Sequence, residues 1–416
     1  MVRSQRQESA LPAAVDDDLP AEPEPAPAGA SRPEVAAARR IVVKLGTRVV
    51  TGTDGGVATE RLAEIVAEVA AARGAGRQVL LVSSGAVGLG RRALGLAEPP
   101  ERLALRQASA AVGQGRLMAL YDEVFARHGV VCAQVLLTRA DLNDRRRYLN
   151  LRRALEELLE RGVVPVINEN DVVSTEELEL VHGLGHGGGG ARPTFGDNDG
   201  LSAVVATKLG ADLLVLLTDV AGVFDRPPGE PGAERLARVD AGGEAVAGAG
   251  PPTSGAGRGG MRSKVEAAAL AADGGCHAVI AGGTARGVLG RVLAGEEEGT
   301  WFPLRRTLDA HHRWIAFAAA SRGALELDPG AVDALRSGGA SLLAAGVVDV
   351  AGDFRRGDVV ELVGPGGARV GRGVIRWDAG EVRRWIDGTA PPGVRNAHAL
   401  IRRSHLVLES VLETAR

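Results

Sequence analysis

Lysine is the scarcest charged residue of this 416-residue chain, which contains three lysines against 46 arginines. Two of the three, Lys44 and Lys264, lie close to glycines. A lysine ammonium is a compact point charge that can follow one oxygen of a moving phosphoryl group, whereas a guanidinium is a rigid planar fork. The pattern therefore suggests phosphoryl transfer. Lys208, near the end of a predicted helix, is expected to be a helix-surface residue that suits the helix dipole.

Cysteines, long apolar runs and net charge are scarce as well. The two cysteines, Cys132 and Cys276, are too few and too far apart to indicate a disulfide framework, so a reducing cytoplasm is the expected compartment. Apolar runs stay below the roughly 20 residues that cross a bilayer, and the N-terminus shows no secretory signal. The net charge of -3 gives no general attraction to nucleic acid or to a membrane. We expect a cytoplasmic protein without a membrane partner.

The composition changes along the chain. Residues 1–38 are rich in alanine, proline and acidic residues and are predicted to be a disordered extension. Residues 39–300 alternate apolar runs with alanine-rich amphipathic stretches, which is typical of an α/β domain with helices on both faces of a mainly parallel sheet. The predicted strands are 41–44, 79–83, 131–137, 163–167, 213–218 and 278–281. The predicted helices are 60–73, 102–128, 145–161, 201–209 and 262–272.

A second, smaller domain is predicted over residues 305–390. Short strand candidates and closely spaced turns there indicate a β-rich module, which could be a barrel. The predicted strands are 324–327, 347–350, 359–363 and 369–375, with one short helix at 331–336. Residues 391–416 are expected to form a C-terminal tail.

Polar residues follow the first two predicted strands at their carboxyl ends. Lys44 ends the first strand with Gly46 beside it, and open α/β sheets bind ligands at this edge. No Walker sequence, Gly-x-x-x-x-Gly-Lys-Ser/Thr, is present. Ser84 follows the second strand without the Gly-x-Ser-x-Gly elbow of a serine nucleophile, so a carboxylate or phosphate cradle is the better interpretation.

Two turns rich in Asn and Asp come next, at residues 168–171 and 196–199. Such side chains can bind an amino group, hydrogen-bond a carboxylate or orient lysines. Turn chemistry alone would explain one such cluster, but two of them beside strand ends or helix starts favour a site. A glycine-rich segment, 254–261, then opens onto the helix that carries Lys264, and helix N-termini hold phosphates well.

In this order the motifs resemble those of the glutamate 5-kinases, within the amino-acid kinase family. The resemblance covers residues 40–385 and implies an α/β three-layer sandwich around a mainly parallel sheet, followed by a small β-rich PUA-like barrel. The motifs that carry it are Ile-Val-Val-Lys44-Leu-Gly-Thr, Val-Ser-Ser84-Gly-Ala, Leu-Leu-Thr138-Arg-Ala-Asp141, Pro-Val-Ile-Asn168-Glu-Asn-Asp171, Gly196-Asp-Asn-Asp199, Leu-Leu-Thr218-Asp and Gly259-Gly-Met-Arg-Ser-Lys264.

The resemblance also implies an activity, ATP-dependent phosphorylation of the L-glutamate γ-carboxylate. Lys44 and Lys264 would stabilise the transferring phosphoryl group, and Asp199 would hold both lysines. The implied glutamate-binding residues are Ser84, Asn168, Asp171, Asp197 and Asn198. The implied ATP-binding residues are Lys44, Thr218, Asp219, Arg258, Gly259, Gly260, Met261, Arg262, Ser263 and Lys264. Mg²⁺ would be carried by ATP, with no protein ligands assigned, and a carboxylate nucleophile needs no general base.

The implied partners are proline as an inhibitor, further copies of the chain in a dimer or tetramer, and glutamate-5-semialdehyde dehydrogenase. The last is expected because the chain is too short for a fused reductase, so the acyl phosphate would pass to a separate enzyme. Two alternatives stay open. One is an amino-acid kinase for acetylglutamate or aspartate; the other is an RNA-binding regulator using the PUA-like module, which has 16 arginines against 13 acidic residues from Arg305 onward.

Three features depart from the family pattern. Residues 182–195 lengthen the loop before Asp197, and their histidines lie among glycines that disfavour the helix of a two-histidine metal site. Gly200 replaces an asparagine that is common after Asp199. Arg258 replaces a threonine that is usual in the nucleotide loop.

Overall fold

The structure is a computed structural model that describes residues 31–52, 56–173, 198–240, 260–305, 312, 315–316, 321–337, 339–389 and 398–409. Several sequence predictions lie outside the described residues, namely those on residues 1–30, on the insertion 182–195 and on Asp197, Arg258 and Gly259.

The first domain is built on a seven-stranded sheet with the order β3-β4-β2-β1-β5-β6-β7. Its first six strands are parallel, and β7 runs antiparallel to β6. The strands are β1 Arg40–Leu45, β2 Gln78–Ser83, β3 Cys132–Leu137, β4 Val164–Glu169, β5 Leu213–Thr218, β6 His277–Gly282 and β7 Thr300–Phe302. The six predicted strands are confirmed. The short β7 has no strand signal in the sequence, and it places Trp301 in this sheet.

Helices cover both faces of the sheet. The helices are α1 Pro33–Ala36, α2 Thr47–Val50, α3 Thr59–Gly74, α4 Ala86–Ala93, α5 Leu103–Ala126, α6 Arg139–Asn143, α7 Arg145–Glu160, α8 Asn198–Leu209, α9 Met261–Asp273 and α10 Val288–Leu293. Alternate strand residues enter two cores: Ile41 and Val43 pack with α3, α5 and α10, whereas Val42 packs with α7, α8 and α9. This arrangement confirms the predicted three-layer sandwich and explains why the central strands are mostly apolar on both faces.

Helix α4 contacts α5 backbone to backbone. A Cβ atom at Gly90 would lie 1.6 Å from the Ser109 carbonyl oxygen, and one at Gly113 would lie 1.8 Å from the Ala86 carbonyl oxygen. No side chain larger than hydrogen fits at either position. Glycine weakens a helix by about 1 kcal/mol relative to alanine, so α4 was not recognisable from its own sequence.

The residues just before β1 are ordered, which corrects the prediction of a disordered segment as far as residue 38. Val35 and Ala38 are buried in the core that α3 contributes to. The Arg32 guanidinium donates to the carbonyl oxygens of Ala237, Glu298 and Gly299. These contacts join the residues before β1 to the edge of the sheet at β7. The composition of residues 1–38 gives no sign of them.

The second domain contains a mixed five-stranded sheet, β10-β8-β11-β12-β14, and a two-stranded sheet, β13-β9. Its strands are β8 Ser321–Leu327, β9 Leu342–Leu343, β10 Val347–Gly352, β11 Val359–Val363, β12 Arg369–Val374, β13 Ala399–Ile401 and β14 Leu406–Leu408. Two helices accompany them, α11 Pro329–Arg336 and α12 Ala379–Ile386. The predictions of one helix and of a tail from residue 391 are therefore wrong: α12 has a capping box of Asp378 and Glu381, and β13 and β14 pair within the sheets.

None of the described helices is long and apolar enough to span a membrane.

Candidate active site

A buried carboxylate at the start of α8 holds two lysines. Lys44 Nζ lies 2.6 Å from Asp199 Oδ1, and Lys264 Nζ lies 3.2 Å from Asp199 Oδ2. Lys44, Asp199 and Lys264 are 3%, 0% and 7% exposed, so water screens these charges poorly. Two ammonium groups on one carboxylate leave an excess of positive charge, which suits an anionic ligand.

The three charged groups come from separate segments that the fold brings together. Side chains alternate along a strand, so Lys44 shares the β1 face of Val42, and that face is covered by α8 and α9. Asp199 lies in the first turn of α8, and Lys264 lies in the first turn of α9. The cluster therefore forms where two helix N-termini meet the carboxyl end of β1, a place where backbone N–H groups also favour anions.

Ser263 adds a hydroxyl group to this cluster. Its Oγ lies 2.9 Å from Asp199 Oδ2 and 2.9 Å from the Gly260 carbonyl oxygen. The single hydroxyl proton can serve only one of these acceptors at a time. Ser263 thus lies within hydrogen-bond distance of both Gly260, the N-cap of α9, and the carboxylate that holds the lysines.

A cluster of amides and hydroxyls lies beside the charged group. Asn198 Nδ2 lies 3.0 Å from Ser84 Oγ, 3.0 Å from Asn168 Oδ1 and 3.1 Å from the Ser83 carbonyl oxygen. Asn168 Nδ2 in turn donates to Gln114 Oε1 at 2.9 Å. Because Asn198 and Asp199 are consecutive, the polar cluster and the lysine cluster are neighbours in the fold.

The Ser84 turn has a backbone conformation that requires glycine. Gly85 has φ of 107°, in the left-handed region, and α4 begins at the next residue. A Cβ atom at Gly85 would also lie 3.2 Å from Val50 Cγ1. The turn therefore presents Ser84 at the end of β2, as the Ser-Ser-Gly sequence predicts.

Thr218 and Asp219 form a third polar group at the end of β5. Thr218 Oγ1 donates to Asp219 Oδ1 at 3.0 Å, and the Arg48 guanidinium lies 2.6 Å from Asp219 Oδ2. Burial raises the pKa of Asp219, but hydrogen bonds from Arg48 and Thr218 outweigh that effect and leave the pKa below its ordinary value. The carboxylate is thus held ionised at the carboxyl edge of the sheet.

Comparisons with known proteins identify the family of this chain. The amino acid kinase family model matches residues 39–282, and the PUA domain model matches residues 323–391. The glutamate 5-kinase of Myxococcus xanthus is 46% identical over 356 residues, which are 85% of this chain and 90% of the relative. The chain belongs to the glutamate 5-kinases of the amino acid kinase family.

Other glutamate 5-kinases match at similar levels. That of Thermobifida fusca is 41% identical over 91% of this chain and 96% of its own length. That of Pseudomonas putida is 43% identical over 91% of this chain and 100% of its own length. A solved structure, the UMP kinase of Bacillus anthracis, covers 65% of this chain and 98% of its own at 16% identity, with a TM-score of 0.42 that is too low to bear on fold or function.

The structure brings most of the residues singled out by the glutamate 5-kinase resemblance to one sheet edge. Lys44, Asp199, Ser263 and Lys264 form the charged cluster, Ser84, Asn168 and Asn198 form the polar cluster, and Thr218 and Asp219 end β5. Asp171 lies in a partly buried turn after β4. Gly260 and Met261 lie at the start of α9, and Arg262 pairs there with Glu266 at 2.8 Å. The ligand roles assigned to all of them stay predictions.

Lys208 is buried, so the prediction of a helix-surface lysine is wrong. It is 6% exposed, its ammonium donates to the Leu142 carbonyl oxygen, and it lies 4.9 Å from the centre of the Tyr148 ring. Burial lowers its pKa to about 7. Leu142 and Tyr148 lie more than 50 residues away in sequence, so the pattern around Lys208 gives no sign of this contact.

Sequence reasoning also missed three residues next to the site. Gln114 joins the amide cluster, and Arg48 pairs with Asp219. Tyr121 shares a 2.7 Å hydrogen bond with Ser83 Oγ, and its complete burial raises the pKa of its hydroxyl. The sequence signal available for two of them was the helical periodicity of α5. Gln114, Leu117 and Tyr121 are three and four residues apart, which is the spacing of positions on one buried helix face.

Proposed function

We propose that this protein transfers the γ-phosphoryl group of ATP to the γ-carboxylate of L-glutamate, in the first step of proline biosynthesis. The observation that carries the proposal is the position of Asn198 beside Asp199 at the start of α8. Asn198 belongs to the polar cluster with Ser84, whereas Asp199 holds the two lysines. An amino acid on the polar cluster would therefore meet a phosphoryl group on the lysines.

The charged cluster would stabilise the transferring group. Each ammonium carries three N–H groups, so Lys44 and Lys264 can keep their bonds to Asp199 and also donate to phosphoryl oxygens. Because Asp199 fixes both nitrogens in advance, little reorganisation is needed as charge moves during transfer. Phosphoryl transfer depends mainly on such positioning and countercharge.

The glutamate carboxylate is itself the nucleophile, so the protein has to bind and orient it rather than deprotonate it. Ser84, Asn168 and Asn198 offer hydroxyl and amide groups suited to the amino acid, with Asp171 and Asp197 as further candidates. The predominance of neutral polar groups in this cluster supports an anionic substrate, because a neutral cluster does not repel its carboxylates.

The nucleotide would lie along Thr218, Asp219 and the segment from Arg258 to Lys264, where α9 begins. Mg²⁺ would arrive with ATP and neutralise its phosphate charge. Asp199 fits the role of lysine organiser and not that of a metal ligand, since each of its carboxylate oxygens already forms an ion pair with an ammonium group.

One assay tests the proposal. ADP formation is measured with L-glutamate, N-acetylglutamate and aspartate in parallel, each with and without proline. We expect turnover with L-glutamate and inhibition by proline. If only N-acetylglutamate or aspartate supports turnover, the protein is a different amino-acid kinase.

The further partners follow from this proposal. The product would be an acyl phosphate, which is reactive, and we propose that a glutamate-5-semialdehyde dehydrogenase consumes it. A homo-oligomer and a cytoplasmic location stay predictions, and RNA binding by the second domain stays only the alternative to them. Both cysteines are free in the structure, which is compatible with a reducing compartment.

A further inference from the structure

The side-chain amides beside Ser84 form a chain of hydrogen bonds. Two backbone groups fix which amide atoms donate and which accept. The Glu169 N–H donates to Asn168 Oδ1 at 2.9 Å, so this atom must be the oxygen of the Asn168 amide. The Ser83 carbonyl oxygen lies 3.1 Å from Asn198 Nδ2, so that atom must be a nitrogen. Backbone donors and acceptors cannot be exchanged, and they leave no freedom to flip either side chain.

The orientation of Gln114 follows from that of Asn168. With Asn168 Oδ1 turned toward Glu169 and Asn198, Asn168 Nδ2 faces Gln114 at 2.9 Å. The facing atom of Gln114 must therefore be its oxygen, Oε1. Gln114 is 8% exposed on α5, which makes this an almost completely buried hydrogen bond. It holds the nitrogen of the Asn168 amide, while Glu169 and Asn198 hold its oxygen.

At its other end this chain of hydrogen bonds affects whether the Ser84 hydroxyl can donate to a substrate. Asn198 Nδ2 is a donor with two protons for three acceptors, and one of these acceptors is Ser84 Oγ at 3.0 Å. When Asn198 donates to Ser84 Oγ, the serine oxygen is the acceptor of that hydrogen bond. The single Ser84 hydroxyl proton is then directed to another acceptor, and a substrate carboxylate oxygen is an acceptor of the required kind.

Two unpartnered atoms of this hydrogen-bond chain also indicate a ligand. Gln114 Nε2 and Asn198 Oδ1 are buried and have no hydrogen-bond partner among the described residues. Buried polar atoms almost always have a partner, so we expect both atoms to have one beyond the described residues, and a bound substrate would supply it. One end is a donor and the other an acceptor, and an α-amino acid carries groups of both kinds.

We infer that Gln114 is a positioning residue for the amino-acid substrate, acting through Asn168 and Asn198 on the direction of the Ser84 hydroxyl. The inference rests on the proposed function, because it assigns the polar cluster to glutamate. Gln114 would act on amino-acid binding and not on the nucleotide, which by the proposed function would lie along Thr218, Asp219 and the start of α9.

The test is the effect of Gln114→Met on the two Michaelis constants. Methionine has a similar volume but offers no strong acceptor to Asn168. We expect the KM for L-glutamate to rise about tenfold, as loss of a buried hydrogen bond would give, with the KM for ATP within about twofold of wild type. Gln134→Met is the matched control, since Gln134 is exposed on β3 and should leave both constants unchanged.

Gln114→Asn is the second variant, in case the methionine does not fold. It keeps the amide but is one methylene too short to reach Asn168, so the same selective rise is expected. A structural role would instead change both Michaelis constants together or only lower the unfolding midpoint, and either result would overturn the inference.

A double-mutant cycle identifies the path of the effect. In a Ser84→Ala background Gln114→Met should change the KM for L-glutamate much less than in wild type, because the hydroxyl that it directs is gone. Full additivity of the two substitutions would exclude action through Ser84. If the wild-type protein fails to use L-glutamate at all, the proposed function fails; if it uses L-glutamate and Gln114→Met has no selective effect, only this inference fails.

Discussion

The two ends of helix α8 each bury lysine nitrogens, but with different partners. At the N-terminal end Lys44 and Lys264 share the carboxylate of Asp199. At the C-terminal end Lys208 contacts a carbonyl oxygen and an aromatic ring, and burial lowers its pKa to about 7. A carbonyl and a ring thus offset only part of the cost of removing an ammonium from water. A lysine that must stay charged for phosphoryl transfer needs the full negative charge found at the other end.

The largest effect is expected from removing that negative charge. Asp199→Asn leaves two buried ammonium groups close together without a counterion, so we expect turnover to fall about a thousandfold. Steady-state ADP formation with L-glutamate measures this. Asp240→Asn is the matched control, because Asp240 is exposed and pairs with Arg238 at the surface. Turnover within tenfold of wild type in Asp199→Asn would contradict the organising role.

A smaller but still large loss is expected when the charge is kept and its shape changed. Lys44→Arg retains a cation, but a planar guanidinium cannot occupy the compact buried site 2.6 Å from Asp199 Oδ1. We expect turnover to fall about a hundredfold, by loss of one stabilising contact in the transition state. Near wild-type turnover in a folded variant would remove Lys44 from the mechanism.

The opposite end of α8 should respond in stability and not in catalysis. The pKa of Lys208 is about 7 in the folded protein against an ordinary value of 10.5. Between these pH values the unfolded chain binds more protons than the folded protein, so the Lys208 contribution to the free energy of unfolding rises with pH. The destabilising cost is complete below pH 7 and disappears above pH 10.5.

Lys208→Met removes this titration. We expect the variant to exceed wild type in free energy of unfolding by about 1–4 kcal/mol at neutral pH, with turnover unchanged. The difference should shrink steadily as the pH is raised toward 10, which urea unfolding at several pH values can follow. A difference that does not vary with pH would show that folding does not lower the pKa of Lys208.

The smallest effect is expected from removal of the Tyr148 hydroxyl, which donates to the backbone of Lys208. Tyr148→Phe keeps the ring but removes the hydrogen bond to the Lys208 carbonyl oxygen, which measures 2.7 Å. We expect a loss of about 1 kcal/mol in the free energy of unfolding and no change in the KM for L-glutamate. The same substitution at Tyr121, the only other tyrosine, removes the contact with Ser83 beside the polar cluster and should raise that KM.

The long elements of the fold were predictable, and the short ones were not. Strands β1, β2 and β5 are buried on both faces, so each contains a run of at least three consecutive apolar residues and is easy to recognise. Helices α2 and α6 have four and five residues, too few for a periodic pattern to emerge. In α1 the buried positions depend on contacts with distant segments, which local composition does not show.

The candidate site shows the same division. Lys44, Asp199 and Lys264 stand in motifs, and the order of those motifs in a familiar family predicted that they would meet. The Lys208 and Gln114 contacts depend on residues more than 50 positions away, and no motif surrounds either one. Contacts of this kind are decided by tertiary packing, which a single sequence does not display.

The glycine contact between α4 and α5 has a mechanical consequence. The two helices touch through their backbones at Gly90 and Gly113, so there is no side chain between them whose rotation could absorb a displacement. Ser84 stands just before α4, and Gln114 follows Gly113 on α5. We therefore expect any movement of the Ser84 turn away from the sheet to carry Gln114 with it, so that both residues would separate together from Asn168 and Asn198.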